Sequence, residues 1–242
     1  VKWSHQVLDE IQASAPLAGP VVTQYRSAVM RCSYLAVDRP ELSESVKCLS
    51  QAMACPREGH VQKLKHTIRY LLGAKRMACC YRRQDPSEAH LRTYEDSDHA
   101  GDLLTRRSTS GVVIMRGKHL LRHMSTLQVP IGLNSSESEY YALVHGAACS
   151  LGSQAMHADW GLQVSLTVLS DSSSARAFSK RRGLGKQRHV QTRFLWLQDR
   201  VILGHLTILV VKGTENPADF LTKALTRNEI VRSMGWIGLE ER

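Results

Sequence analysis

The period of the apolar positions changes once along the chain, near residue 85. Before that point it is helical: Ala28, Val29, Cys32, Leu35 and Ala36 recur on one face, then Leu42, Val46, Leu49 and Met53. Arg39-Pro40 and Cys55-Pro56 break the run, and a third helix is predicted over residues 58–72, ended by Gly73. Residues 1–24, with Pro16, Gly19 and Pro20 among small side chains, read as a linker or truncated end. After Gln84-Asp85-Pro86-Ser87 the character changes to strands, predicted over residues 92–96, 111–116 and 119–127, the last two joined by a tight Arg116-Gly117-Lys118 turn. A helix over 136–156, a strand over 166–170, helices over 171–180 and 189–203, a strand over 206–211 and a last helix opened by Asn216-Pro217 complete the pattern. The order βββαβα(α)βα predicts an α/β fold, a mixed sheet with helices packed on it, after a small helical segment over 25–86. Residues 227–242 read as a tail, and a start at Val1 predicts a piece of something longer.

Charge narrows the partners. Thirty-two Lys and Arg against 22 Asp and Glu give a formal net charge of +10, which suits a polyanion, nucleic acid first. No long apolar run or signal-like segment argues for a membrane. The six cysteines show no CxxC pair, which argues against zinc or a disulfide framework and for free thiols in a reducing compartment.

Against that basic background, "YEDSDHAGD" at 94–102 concentrates Glu95, Asp96, Asp98 and Asp102. In an α/β sheet chemistry gathers at strand ends and the loops leaving them. Asp96 ends the first predicted strand, Glu139 lies in the opening turn of the long helix, Asp171 follows "LTVLS", and Asp219 opens the last helix. Each has a plain alternative. Ser136 to Glu139 forms a capping box, Asp171 is a good N-cap, and Asp219 suits a helix dipole. Together, four converging carboxylates need a cation, and an all-oxygen set without His or Cys suits Mg²⁺ rather than zinc.

"YEDSDHAGDLLTRRSTSGVVIM", "SSESEYYAL", "SDSSSARAFSK", "RHVQTRFLWL" and "ENPADFLTK" resemble, in that order over 92–226, the ribonuclease H domain of copia-type (Ty1/copia) LTR-retrotransposon polyproteins. "QYRSAVMRCSYLAVDRPELSESVKCLSQAM" and "HVQKLKHTIRYLLGAK" are similar to the segment that follows the polymerase palm, a thumb or connection region. The resemblance implies a ribonuclease H-like, five-stranded mixed sheet over 91–226. It implies an endonuclease that hydrolyses the RNA strand of RNA/DNA hybrids during reverse transcription. Asp96, Glu139, Asp171 and Asp219 match its catalytic, metal-binding acids; two Mg²⁺ ions would serve, with Mn²⁺ as a substitute. Asp98 matches a second aspartate of the first motif and ranks as a supporting group, while Glu95 and Asp102 are expected to face water.

Recognition of the hybrid needs short polar groups that read 2′-hydroxyls, for which Asn134, Ser135 and Ser136 stand beside Glu139; helix capping is the equal alternative for each. The basic loop over 180–189 offers Lys180, Arg181, Arg182, Lys186 and Arg188 to a duplex backbone or simply to solvent. His189 and Arg193 match the family's "KHIDIRY" stretch. In "TRRSTSG" Arg106 or Arg107 is expected to face the hybrid. The chain departs from the family pattern at His99, usually Trp, and Asn134, usually Ser. No histidine stands between Val211 and Asp219, and no "YxDD" polymerase motif is present. The implied partners are the hybrid and the upstream reverse transcriptase, in cytoplasmic particles and then the nucleus. Two other readings stand beside the enzyme: a decayed or co-opted module that binds hybrid without turnover, and a transposase or integrase, which the last aspartate in "NPADFLTK" fits less well.

Overall fold

A computed structural model describes residues 5–85, 87–185 and 187–242. The helical segment contains α1 (His5–Ala13), α2 (Pro20–Leu35), α3 (Ser43–Gln51) and α4 (Glu58–Gly73). The last three follow the predicted periodicity. Tyr25, Val29, Cys32, Leu42, Val46, Leu49 and Leu64 point inward and form one apolar cluster, with the Tyr25 hydroxyl donating to the Leu49 carbonyl at 2.9 Å. The stretch expected to be a linker carries α1, which buries Leu8 and Ile11; Gly59 lies so close to Ile11 that any side chain there would collide with it.

The strand β1 (Met77–Cys79) then leads to the main sheet: β2 (His90–Asp98), β3 (Thr109–Arg116), β4 (His119–Leu127), β5 (Ser165–Ser170) and β6 (Thr207–Val210). The order is β4-β3-β2-β5-β6, with β4, β3 and β2 antiparallel and β5 and β6 parallel to β2. The long α5 (Ser135–Asp159) covers one face, where Leu91, Tyr140, Leu143, Ala147, Leu166, Val168 and Ile208 share a cluster with Phe178 of α6 (Ser173–Ser179) and Leu197 of α7 (Trp196–Ile202). The other face is covered by a 3-10 turn, Pro217–Leu221, and α8 (Arg227–Trp236), through Val113, Met115, Phe220, Leu221 and Met234. Both faces of β3 are therefore buried, and Val112, Val113 and Ile114 are all fully covered.

Three predicted elements differ. The helix expected over 189–203 is a loop, a 3-10 turn at Thr192–Phe194 and the short α7. The helix expected at Asn216-Pro217 is the five-residue 3-10 turn, capped by the Asn216 side chain at Ala218 N and packed on β3. The expected tail folds back as α8 and β7 (Leu239–Glu241), the latter pairing antiparallel with β1.

The helical segment seats on the sheet through α3. Lys47 Nζ donates to Thr109 Oγ1 at 2.6 Å, Gln51 to Asp102 at 2.7 Å, and Ser43 bonds the His123 ring at 3.1 Å.

Gly111 shows why the "TSG" of β3 cannot carry a side chain. It pairs with Asp96 across the ladder, and a Cβ there would lie 2.7 Å from Thr222 Cγ2 and 2.8 Å from the Ala218 carbonyl oxygen. Gly111→Ala must push the 3-10 turn off β3. It is expected to cost about 1–3 kcal/mol in urea unfolding, the usual range for overpacking, and to lower activity beyond what stability explains. Unchanged stability would show that the turn yields freely.

Candidate active site

The site is the end of the sheet where β2 and β5 stop side by side and α5 begins. Alternation along β2 sends Thr93, Glu95 and Ser97 under α5 and Tyr94, Asp96 and Asp98 to the opposite face. Parallel pairing of β2 with β5 brings Asp171, one residue beyond β5, level with Asp96. One carboxylate oxygen from each of Asp96, Glu139 and Asp171 lies within 4.8 Å of the others. Asp219 approaches from the 3-10 turn. Its Oδ1 is 3.2 Å from Lys223 Nζ, which is also 3.8 Å from Asp96 Oδ2. The Thr222 hydroxyl donates to Asp96 Oδ2.

None of the three capping roles falls to an acid of the site. Asn134, not Ser136, caps α5 by accepting from the Glu137 amide at 3.0 Å; Ser172, not Asp171, caps α6; and Asn216 caps the 3-10 turn that holds Asp219. Glu139 and Asp171 are thereby left to meet Asp96, with Asp219 beside them through Lys223.

Their electrostatics show the cost of that arrangement. Burial, then the charges of Glu95, Asp96 and Asp171, push the Glu139 carboxyl up to about 10. Burial and Asp96 raise Asp219 to about 6, even with Lys223 opposing, and raise Asp171 for the same two reasons. Burial pulls Lys223 down, but Asp96, Asp219 and Asp171 outweigh it and hold the ammonium above its ordinary value. Glu139 Oε2 is buried and makes no hydrogen bond among the described residues. An all-carboxylate oxygen set with an unpartnered buried oxygen fits a hard divalent cation, and no His or Cys joins the group.

Glu95 corrects the expectation that it faces water. It is fully buried beneath α5, with its Cβ near Gly146, and burial raises its carboxyl far above the ordinary range; the Ser170 hydroxyl and Arg176 only partly offset this. Its side chain lies on the face of β2 that α5 covers, which closes its route to solvent. Asp102 is half-exposed and caps its own loop, accepting from the amides of Leu104 and Thr105. Asp98 shares Asp96's strand face but stays out of the carboxylate group. The Thr109 amide donates to it and Gly101 packs against it, while burial pushes it up to about 6 despite that bond.

The remaining predicted residues lie on the 99–108 loop, at the start of α5 and on the 180–193 segment. Arg106 and Arg107 are exposed on the 99–108 loop, which is closed by Arg106 N to Asp102 O and Asp102 N to Arg107 O; Arg106 has a positive φ of 59°. Asn134 and Ser135 are exposed and Ser136 half-buried at the start of α5. Arg181, Arg182 and Arg188 are all exposed, and Arg181 also stacks on Phe178 and donates to the Leu184 carbonyl. Lys186 lies outside the described residues. Arg193 is exposed over the Phe194 ring. His189 Nε2 meets Glu137 Oε2 at 2.8 Å and so ties the basic loop to the first turn of α5. Burial alone would raise Glu137, but the Tyr141 hydroxyl, the Leu133 amide and His189 hold it below the ordinary range. His99, in place of the family's Trp, bonds the Ser138 hydroxyl at 3.0 Å.

Sequence reasoning missed Thr222 and Lys223. The signal was present in "ADFLTK": Lys223 is four residues after Asp219, the spacing at which an acid and a base meet on one turn.

Sheet order and clustered acids together define a ribonuclease H-like fold. A foamy viral protease-reverse transcriptase solved with double-stranded DNA superposes on 87% of this chain and 42% of its own, at 15% identity and a TM-score of 0.55. A ribonuclease H1 isolated from compost superposes on 55% of this chain and 93% of its own, at 16% identity and a TM-score of 0.40. No family model matches the chain. The retrovirus-related Pol polyprotein from transposon TNT 1-94 of Nicotiana tabacum is 30% identical over 218 residues, 89% of this chain and 16% of the relative. The chain is thus similar over nearly nine-tenths of its length to a Pol polyprotein of a copia-type transposon, and spans about a sixth of that relative. No helix among the described residues is long and apolar enough to cross a membrane.

Proposed function

We propose that residues 91–226 form a ribonuclease H that cuts the RNA strand of RNA/DNA hybrids during reverse transcription, and that residues 25–86 are the end of the reverse transcriptase that presents the hybrid. The observation that carries this reading is the meeting of Asp96, Glu139 and Asp171, with Asp219 beside them, while neighbouring Asn134, Ser172 and Asn216 do the capping.

Asp96, Glu139, Asp171 and Asp219 would hold two Mg²⁺ ions, with Mn²⁺ as a substitute. Such ions make water a nucleophile near neutral pH and stabilise the leaving oxygen of an in-line displacement, here the 3′-oxygen. The products carry a 5′-phosphate and a 3′-hydroxyl. The chain's own part is positional. Thr222 fixes the Asp96 carboxylate from behind, and the strand ends of β2 and β5 fix Asp96 relative to Asp171.

Discrimination falls to the start of α5. The Asn134 carbonyl oxygen is engaged by the cap, which leaves its amide nitrogen and the exposed hydroxyl of Ser135, with Ser136 behind them, to read a 2′-hydroxyl in the wide minor groove of the hybrid. Arg182, Arg188 and Arg193, with Arg106 and Arg107 of the 99–108 loop, supply exposed cations for the phosphate backbone, and His189 holds the loop in place through Glu137. The stacked, internally bonded Arg181 serves the loop's shape first.

The test is cleavage of an end-labelled RNA/DNA hybrid beside RNA/RNA and DNA/DNA duplexes, in Mg²⁺ and in Mn²⁺, by the chain and its Asp171→Asn variant. Hybrid-only cutting that Asp171→Asn abolishes is the expected result. Salt-sensitive binding by a folded chain that cuts in neither metal would replace the enzyme with a hybrid-binding module.

A further inference from the structure

The "ADFLTK" segment brings a positive charge into the acidic group. Lys223 Nζ lies 3.2 Å from Asp219 Oδ1 and 3.8 Å from Asp96 Oδ2, bridging two of the four site carboxylates. It does not bridge the others: Asp96, Glu139 and Asp171 form the compact group without it. The site is thus divided. One side is an oxygen cluster with a buried, unpartnered Glu139 Oε2, and the other is already neutralised from within the chain. Asp96 belongs to both.

The Lys223 side chain is 47% exposed, whereas those of Asp96 and Asp219 are 4% and 20% exposed. The carboxylates are held and the lysine stem has room to withdraw. Thr222, next to it, bonds both Asp96 and the Asp219 carbonyl, so withdrawal of Lys223 need not disturb the acids.

We infer that Lys223 is a positioning residue that acts as an internal counter-ion and competes with a divalent cation for the Asp96–Asp219 pair. The Asp96–Glu139–Asp171 group then loads first, and the second position fills only as the ammonium leaves. This rests on the metal-site reading above, and it adds an order of loading and the residue that imposes it.

Binding rather than turnover tests it. Metal-stripped wild type, Lys223→Gln and Lys223→Arg are titrated with Mn²⁺, and free Mn²⁺ is read by electron paramagnetic resonance, with thermal melts to confirm cooperative folding. The wild type is expected to bind one Mn²⁺ tightly and a second more weakly. In Lys223→Gln the second class tightens about tenfold, the scale of removing one unit charge a few ångströms away at a half-exposed site, and the first class changes much less. Lys223→Arg, which keeps the charge, stays near wild type. Equal affinities in wild type and Lys223→Gln, with the tight class intact, would overturn the role of Lys223. No Mn²⁺ binding by any of the three folded chains would overturn the metal-site reading itself, and this inference with it.

Discussion

Asp96→Asn is expected to reduce hybrid cleavage by at least about a thousandfold, the range seen when one member of a preorganised catalytic group is removed, while the chain melts no lower than wild type in EDTA. The two halves of this expectation come from the same geometry. Asp96 is the carboxylate common to the compact group and to the Lys223 bridge, so its loss affects both sides of the site. It is also 3% exposed and contributes to the upward shift of Glu139, Asp171 and Asp219, so replacing its charge with an amide relieves repulsion. Asn keeps an oxygen that can accept from the Thr222 hydroxyl, which preserves the local packing. Single-turnover cleavage alongside calorimetry checks both halves. Near-wild-type cleavage would remove Asp96 from the site, and a large drop in melting temperature would make its role structural.

The acids were legible because each lies where an α/β chain leaves a strand or enters a helix, and those places can be read from periodicity. Their freedom to act was not legible. Asn134, Ser172 and Asn216 compete with Ser136, Asp171 and Asp219 for the same capping duties, and a shift of one to three residues in a helix start decides which side chain faces the site. Glu95 was misplaced for a related reason. Alternation assigns it to the face opposite Asp96, but only tertiary packing shows that α5 covers that face. The β1–β7 pair joins residues more than 150 positions apart through two three-residue strands, too short for a periodic signal and non-local in origin. Conversely, Gly111 and Lys223 were visible as letters of recognisable segments, and their reasons emerged only once the 3-10 turn was seen to lie against β3 and Asp96.

Glu139→Gln is expected to stabilise the metal-free chain by an amount that grows with pH, and this gain is expected to shrink or reverse in Mg²⁺. The sign follows from proton linkage. An ordinary glutamate has a pKa of about 4.3, so the unfolded chain has lost this proton by pH 6; in the folded chain burial and the neighbouring acids hold it up to about 10. Between those values the folded state binds more protons than the unfolded one, so the group's contribution to stability falls as pH rises. The ceiling on that fall is about 1.4 kcal/mol per pH unit, and relaxation of a partly open site leaves a few kcal/mol by pH 8. Gln carries no such linkage, so the variant's advantage over wild type reads the Glu139 carboxyl together with the acids that titrate with it. The paired comparison is needed because other groups act in the opposite sense. Burial lowers His60, His123 and His145 and brings Lys63 to about 8, each of which makes the whole chain gain stability as pH rises through its own window. A bound divalent cation favours the ionised Glu139, so saturating Mg²⁺ should raise the melting temperature of wild type more than that of the variant. Urea unfolding of both chains from pH 5.5 to 8.5, in EDTA and in Mg²⁺, reads all four cases. A difference independent of pH in EDTA would mean that Glu139 reaches water freely and does not face Asp96 and Asp171 across a crowded site.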